Sequence, residues 1–280
     1  MIRQSDKQVK ELRSRVFRHM LDTRSWKYRA FLRYLRFFRY VAFSSTRGEF
    51  LESYYTLMRY LDDIVDGDLS LPEGFPDQRG YLSEKIAFSL NPVNPKDEVD
   101  NMIIYCFELA ERFGEDFKAE TRDILDSLMF DANRRGKWTI FPREDLNHHF
   151  HLLDIRGTIR ATLKVFKDDP DKYKILEPLG TACRYQYDIE DFESDIAVGY
   201  VNISKEECEQ FSINRDDLDK LSSPKIRSWL SHHASQGMAL LSDHHRLMQE
   251  GKFSLLEKAV FKVVYVMPAR KVFRKILSES

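Results

Sequence analysis

The sequence predicts a single all-α domain, and three observations lead to that prediction. Only 11 glycines and 9 prolines interrupt the 280 residues. The long stretches between them repeat apolar residues with the period of an amphipathic helix, and none alternates convincingly as a strand does. Hydrophobic residues make up 42% of the chain and include 20 Phe and 13 Tyr, which is enough for a sizeable core. We expect one domain over residues 1–280, with residues 1–25 as a peripheral basic N-terminal helix.

The helices are placed where the periodicity runs, and they end where glycine, proline or turn residues interrupt it. Gly48 and Gly67 bracket the third helix, and the segment 69–80 is a loop because it holds two prolines and two glycines. Pro268 is expected to kink or break the last helix. The predicted helices span residues 7–21, 26–43, 49–67, 81–89, 97–113, 115–135, 143–167, 174–198, 215–220, 223–250 and 254–278.

Charge is distributed unevenly, although the whole chain carries a net charge of only −1. Residues 1–40 hold 12 basic and 3 acidic side chains, and residues 251–280 hold 7 and 2. Both ends are therefore basic and the centre is acidic. The helix over 26–43 mixes arginines with aromatics, so it could lie peripherally on an anionic membrane surface. Alternatively, its aromatics are core and its arginines form a solvated or phosphate-facing edge.

Composition indicates the cellular compartment that we expect for the protein. Three cysteines without a CxxC pair argue against a disulfide framework or zinc site and fit a reducing compartment. The first residues are too polar for a signal peptide, and no apolar run reaches the length of a membrane span. We therefore expect a cytoplasmic protein, either free or peripheral on a membrane surface. No nucleic-acid-binding motif accompanies the basic ends, and the run 134–137 (RRGK) is expected to be a solvated loop.

Two acidic segments carry the strongest functional signal. Asp62 and Asp66 stand four residues apart in one, and Asp191 and Asp195 stand four apart in the other. On a helix this spacing puts both carboxylates of a pair on one face. Aspartate is a poor helix former, and like charges one turn apart repel, so we expect a cation to be bound there. The predicted metal ligands are Asp62, Asp63, Asp66, Asp188, Asp191 and Asp195.

The apolar flanks of these segments favour carboxylates that line a cleft, although a solvated helix end is the alternative. Two such helices facing one another would form a site for Mg²⁺, which is typically held by one or two carboxylates plus phosphate oxygens. That chemistry suits the departure of a diphosphate, whose oxygens Mg²⁺ neutralises. Arg59 precedes Asp62 by three residues and is close enough to pair with a carboxylate or a bound anion.

These residues resemble the motifs of the squalene/phytoene synthase family. Residues 55–66 (YTLMRYLDDIVD) are similar to the family's first motif, Tyr-x-x-x-Arg-x-x-Asp-Asp-x-x-Asp. Residues 179–182 (LGTA), followed by Asp191, Asp195 and Gly199, are similar to the second motif. Between them, residues 156–159 (RGTI) resemble the family's Ala-Gly-Thr-Val. Order and spacing match over roughly residues 35–205.

The resemblance implies the class I isoprenoid synthase fold, a helical bundle around a central apolar channel. It also implies a Mg²⁺-dependent prenyltransferase that joins two allylic prenyl diphosphates, farnesyl or geranylgeranyl, head to head with loss of diphosphate. The product would be a squalene- or phytoene-type hydrocarbon or its cyclopropyl diphosphate intermediate. Two or three Mg²⁺ ions per site are implied. A requirement for NADPH and the oligomeric state are left open.

Site residues follow from the resemblance and from the arginines near its motifs. Arg156 and Arg160 stand where the family has small channel-lining residues, and Arg36 and Arg39 stand near its Ser-Phe pair. The residues assigned to catalysis are Asp62, Asp66, Asp191, Asp195, Tyr55 and Arg59. The residues assigned to diphosphate binding are Arg59, Arg36, Arg39, Arg156, Arg160 and Tyr187.

The chain departs from the family pattern beside the second motif. Tyr200 and Asn202 occupy the positions of the family's Arg and Tyr, and Arg184 and Tyr187 those of its Gln and Asn. These departures argue against the second half-reaction, in which the cyclopropyl diphosphate rearranges. They do not affect the expected first step, the ionisation of a prenyl diphosphate. A class I terpene synthase acting on a single prenyl diphosphate is the alternative function. A non-catalytic membrane-associated scaffold is disfavoured because all four motif aspartates are present.

Overall fold

The structure is a computed structural model that describes residues 4–23, 26–41 and 43–279. All regular secondary structure within these ranges is helical, which confirms the all-α prediction. The chain divides into two compact units, Met1–Ala132 with Lys164–Lys167 and Asn133–Leu163 with Asp168–Ser280. We call them the first and the second unit. The single domain expected over residues 1–280 stays a prediction.

The helices of the first unit begin at capping residues that the sequence supplies. Side-chain oxygens of Ser44, Asp77 and Asp97 accept the backbone N–H three residues further on, and thereby satisfy a donor that a helix start leaves open. The helices are α1 (Gln4–Thr23), α2 (Trp26–Val41), α3 (Ser45–Val65), α4 (Gln78–Leu90), α5 (Glu98–Arg112) and α6 (Lys118–Arg134), whose last two residues belong to the second unit.

The core of the first unit combines aromatic packing with buried, paired charge. The Phe50 and Phe117 rings lie 4.2 Å apart between centroids, and the Tyr54 hydroxyl lies 3.0 Å from Thr121 Oγ1. The fully buried Lys85 ammonium donates to Asp100 at 2.8 Å and also reaches Asp97. An ammonium in the core is tolerated only when carboxylates compensate it, so this cluster fixes α4 against α5.

The second unit contains the rest of the helices, except for residues 164–166, and two of its glycines allow helices to pack closely. A Cβ on Gly180 would lie 2.8 Å from Ile155 Cγ1, and one on Gly237 would lie 2.3 Å from Phe273 Cζ. Helices can therefore approach closely only because these residues have no side chain. The elements are α7 (Arg143–Phe150), a π-helical segment (His151–Ile159), α8 (Arg160–Phe166), α9 (Tyr173–Glu190), α10 (Phe192–Ala197), α11 (Lys205–Phe211), α12 (Pro224–Glu250), α13 (Leu255–Val260), a second π-helical segment (Phe261–Val266) and α14 (Met267–Glu279).

Most predicted helices are present within a few residues of their expected ends, but four predictions need correction. The helix expected over 174–198 is interrupted at Asp191, and the one over 143–167 contains a π-helical segment. The segment 215–220 forms only a 3-10 turn, Arg215–Asp217. The last helix continues past Pro268, which lies in the first turn of α14 directly after a π-helical segment, so the break is not present and the alternative of a kink stays a prediction. Residue 42, inside the helix expected over 26–43, lies outside the described residues.

Among the described residues, no helix combines the length and the apolar composition needed to cross a bilayer.

Candidate functional site

The first acidic motif lies at the C-terminal end of α3. Asp62 is half-buried, Asp63 is fully buried, and Asp66 caps the helix with its N–H on the Asp62 carbonyl at 2.9 Å. Gly67 then takes a left-handed backbone with φ of 75°, and the Leu69 N–H returns to the Asp63 carbonyl. Asp62 and Asp66 are therefore one helical turn apart, and neither is fully buried.

Arg59 belongs to the same turn and neutralises part of this charge. Its Nη1 lies 2.5 Å from Asp62 Oδ2, and its Nε lies 2.8 Å from Asp63 Oδ1. The expected pairing of Arg59 with a carboxylate is thus present, and it involves two carboxylates. Of the three predicted ligands in this motif, Asp63 is the one turned into the core against the arginine. Its role as a metal ligand stays a prediction, as do those of Asp62 and Asp66.

A second ion-pair group lies further up α3. The buried carboxylate of Glu52 contacts Arg39, and Glu52 Oε1 lies 3.5 Å from Arg36 Nε. Both arginines are predicted from the sequence to bind diphosphate, whereas no motif marks Glu52. Tyr55, assigned to catalysis, is half-buried on the next turn. The diphosphate contacts of Arg36 and Arg39 and the catalytic role of Tyr55 stay predictions.

The second acidic motif is divided between two helices. Asp191 ends α9 with φ of −103° and ψ of 4°, and α10 begins at the next residue. The Asp195 N–H donates to the Asp191 carbonyl at 2.8 Å, so these two aspartates keep their one-turn spacing across the break. Asp188, by contrast, belongs to the preceding helix. Asp188, Asp191 and Asp195 have the i, i+3, i+7 spacing of one helix face, but no single continuous helix carries all three.

Asp188 is buried, with 3% of its surface exposed, and is paired with Arg184 at 3.0 Å. Burial raises the pKa of Asp188 to about 7, although the positive charge of Arg184 acts in the opposite direction. The carboxylates of Asp195 and Asp154 raise it further. The guanidinium of Arg184 also lies 4.3 Å from the centre of the Phe150 ring. The departure from the family's Gln at Arg184 thus places a cation inside the acidic motif.

Asp195 is held by residues outside the motif. Its Oδ2 accepts from Asn202 Nδ2 at 2.8 Å, and Asn202 Oδ1 accepts from Arg134 Nη1 at 2.7 Å. Arg134 is only 4% exposed, so the expectation of a solvated loop at 134–137 is wrong for this residue. Its guanidinium lies 4.7 Å from the centre of the Tyr200 ring. These contacts involve Tyr200 and Asn202, the two residues that replace the family's Arg and Tyr.

The loop that carries Tyr200 and Asn202 is fixed by glycine. Gly199 has φ of 83°, and a Cβ there would lie 2.8 Å from Gly136 Cα. Backbone hydrogen bonds join Gly136 N–H to Val198 O at 2.9 Å and Trp138 N–H to Gly199 O at 3.2 Å. The glycine of the second motif is therefore required by both its backbone angle and this close contact.

The remaining diphosphate candidates lie around the first π-helical segment and on α9. Arg156 is inside that segment, Arg160 begins α8, and both are half-buried. Four residues separate them, which would be one turn of an uninterrupted α-helix, and the wider π-turn changes that spacing. Tyr187 is partly exposed, with its ring 5.6 Å from the Arg184 guanidinium. Their contact with diphosphate stays a prediction.

The donors that the two motifs offer to a metal ion are carboxylate oxygens. Among the described residues, no group of three or more His, Cys, Asp or Glu side chains is arranged to hold a metal ion. A Mg²⁺ ion bound together with phosphate oxygens needs only one or two carboxylates, and each motif offers one such pair on a single turn. Oxygen donors are also the type that Mg²⁺ prefers. The chemistry of the residues fits the ion, and the facing of the two motifs stays a prediction.

Comparison with known proteins gives a match at the level of fold. No protein-family model and no curated protein matches the chain. The solved structure of squalene synthase HpnC from Alicyclobacillus acidocaldarius aligns with a TM-score of 0.70 and 16% identity, over 99% of this chain and 95% of that one. A dehydrosqualene synthase in complex with a ligand aligns with a TM-score of 0.61 and 14% identity, over 99% of both chains. The chain thus has the helical isoprenoid synthase fold of these proteins.

Proposed function

From this shared fold, we propose that the chain is a Mg²⁺-dependent prenyltransferase that condenses two allylic prenyl diphosphates head to head with loss of diphosphate. The observation that carries the proposal is a pair of aspartates one turn apart in each of two motifs, in a chain with the fold of squalene synthases. Farnesyl or geranylgeranyl diphosphate is the proposed substrate. The proposed product is a squalene- or phytoene-type hydrocarbon or the cyclopropyl diphosphate that precedes it.

Each group in the two motifs has a defined task under this proposal. Asp62 and Asp66, and likewise Asp191 and Asp195, would supply the carboxylates for Mg²⁺, which, when bound, neutralises the oxygens of the departing diphosphate. Arg59 holds Asp62 in place through its 2.5 Å contact. Donors on the arginine and tyrosine side chains assigned above would bind the diphosphate oxygens directly, because a guanidinium matches phosphate geometry.

The test measures diphosphate release and product together. The purified protein is incubated with farnesyl or geranylgeranyl diphosphate, with and without NADPH, and with Mg²⁺ or EDTA. We expect Mg²⁺-dependent release of diphosphate and a product with twice the carbon count of the substrate. Asp62→Ala and Asp191→Ala should each lower the release rate at least about 100-fold. Loss of a metal ligand should cost no less than loss of a group that supports a ligand, which is typically about 10–100-fold. Asp243→Ala, at an exposed position of α12, is the matched control and should leave the rate unchanged.

Tyr200 and Asn202 favour one alternative, a class I terpene synthase that acts on a single prenyl diphosphate, because both replace residues of the head-to-head family. Chromatography of the product separates the two functions. An unchanged carbon count supports the terpene synthase and rejects condensation. Full activity in either aspartate variant would reject the metal-site assignment for both enzymes. If the protein turns over no prenyl diphosphate, both enzyme functions are rejected in favour of the non-catalytic scaffold.

The exposed face of α2 supports a peripheral association with anionic lipid as part of the same proposal. Tyr34, Phe37 and Tyr40 are 53%, 56% and 75% exposed, and the side chains of Arg29 and Arg33 are exposed beside them. Aromatic rings and arginines on one helix face suit the interface of an acidic bilayer. Co-sedimentation with phosphatidylglycerol vesicles, but not with pure phosphatidylcholine, is the expected result. Arg29→Gln with Arg33→Gln should reduce that binding, and equal sedimentation with both lipids would contradict it.

A further inference from the structure

Hydrogen bonds link Arg134 through Asn202 to Asp195 within the second unit, and Arg134 itself belongs to neither acidic motif. Arg134 is the last residue of α6, and its side chain is buried although Gly136 and Lys137 nearby are exposed. From this position its Nη1 donates to Asn202 Oδ1 at 2.7 Å and approaches the Val201 carbonyl at 3.5 Å. A buried arginine requires such partners, because its charge cannot be lost.

The arginine determines which way the Asn202 amide points. A guanidinium has donors only, so it must face the amide oxygen and not the amide NH₂ group. The NH₂ group is thereby directed to the other side, where Asn202 Nδ2 donates to Asp195 Oδ2 at 2.8 Å. Tyr200 covers the guanidinium with its ring at 4.7 Å. One oxygen of Asp195 thus accepts a hydrogen bond from an amide whose orientation is set by Arg134.

We propose that Arg134 and Asn202 are positioning residues that orient the Asp195 carboxylate for a Mg²⁺–diphosphate complex. The inference rests on the proposed function. Groups that hydrogen-bond a ligating side chain commonly change metal affinity or activity 10–100-fold when removed. The departures at Tyr200 and Asn202 then supply a different support for the second motif: the amide orients Asp195, and the tyrosine covers the arginine that orients the amide.

The test measures affinity for Mg²⁺–diphosphate by isothermal titration calorimetry, without any prenyl substrate. Asn202→Leu, which keeps the shape of the side chain and removes both polar ends, should weaken binding 10- to 100-fold. Arg134→Met should weaken it about 10-fold, and Arg134→Lys, which keeps a donor for the amide oxygen, should recover most of the affinity. Arg135→Met is the matched control at the neighbouring arginine and should bind as the unchanged protein does.

A double-mutant cycle separates positioning from a general loss of structure. In the Asp195→Asn background, Asn202→Leu should change the remaining affinity less than threefold, because the carboxylate that it orients is already gone. Circular dichroism and the melting temperature of each variant without metal identify variants that fail to fold. An equal loss in both backgrounds, or unchanged binding in Asn202→Leu, overturns the inference.

The same measurements distinguish this inference from the proposed function. If the protein binds Mg²⁺–diphosphate with the expected double-mutant cycle but consumes no prenyl diphosphate, the positioning inference stands and the prenyltransferase proposal is rejected. If the protein turns over prenyl diphosphates while Arg134→Met and Asn202→Leu bind Mg²⁺–diphosphate normally, the proposed function stands and the positioning inference is rejected. A protein that binds no Mg²⁺–diphosphate overturns the positioning chain outright.

Discussion

The two acidic motifs have the same aspartate spacing, but their side chains are held in different ways. In the first, α3 runs without interruption to Val65, and Arg59 contacts carboxylates three and four residues away. In the second, the helix breaks at Asp191, and Asp195 depends on Asn202, which in turn depends on an arginine 68 residues away in sequence. The first motif forms with its helix, whereas the second needs the rest of its unit to be folded.

The largest expected difference concerns the arginine inside each motif. Arg59→Met removes a cation from two carboxylates, one of them fully buried, and should lower the free energy of unfolding by about 3–5 kcal/mol. Arg184→Met should cost less than half of that at pH 7, because Asp188, with its pKa raised to about 7 by burial, can take up a proton. Urea denaturation at pH 7 measures both. Equal losses would contradict the difference drawn between the two motifs.

The glycine that follows each motif provides a sharper comparison. Both Gly67 and Gly199 have left-handed backbones, with φ of 75° and 83°. Gly67→Ala should cost about 1–2 kcal/mol, the penalty for a side chain in that conformation. Gly199→Ala should cost about 1–3 kcal/mol more, because its Cβ would also overlap the Gly136 backbone. Unfolding free energies of the two variants check this, and a Gly67→Ala loss as large as that of Gly199→Ala would refute it.

The smallest expected difference concerns acid sensitivity. Burial lowers the pKa of His244 in the second unit to about 4, so the folded state holds this imidazole neutral while the unfolded chain protonates it near 6.5. Stability from this group is present above about pH 6.5 and is lost as the pH falls towards 4. Between pH 7 and pH 5 the loss should be about 2 kcal/mol, and His244→Leu should lack that part of the slope.

In the first unit, Glu49 should act in a lower pH window. Burial alone would raise its pKa, but a hydrogen bond from Tyr105 and the charges of Arg13 and Lys10 lower it overall. Stability from Glu49 is therefore present above about pH 4.5 and is lost only below that value. Glu49→Gln should flatten the stability curve in that lower range alone. Chemical denaturation at a series of pH values measures both variants, and a shared window would contradict the assignment.

Much of the fold was predictable because its signals are local. Helix periodicity and the glycine, proline and turn residues between helices placed most of the helices to within a few residues. The break at Asp191 was not predictable in this way, because no proline or glycine marks it. The two π-helical segments likewise depart from the local α-helical period without a proline or glycine pattern that predicts them.

The sequence by itself determined the all-α class and the aspartate pairs, and it limited Arg59 to a carboxylate of its own motif or a bound anion, because each depends on residues within one or two helical turns. Only the tertiary structure decided that Glu52 would take up Arg36 and Arg39, and that Arg134 would be buried against Asn202. Their partners lie 13 to 68 residues away in sequence. A buried charge is placed by whichever counter-charge or dipole the folded chain brings to it, and no local spacing records that choice.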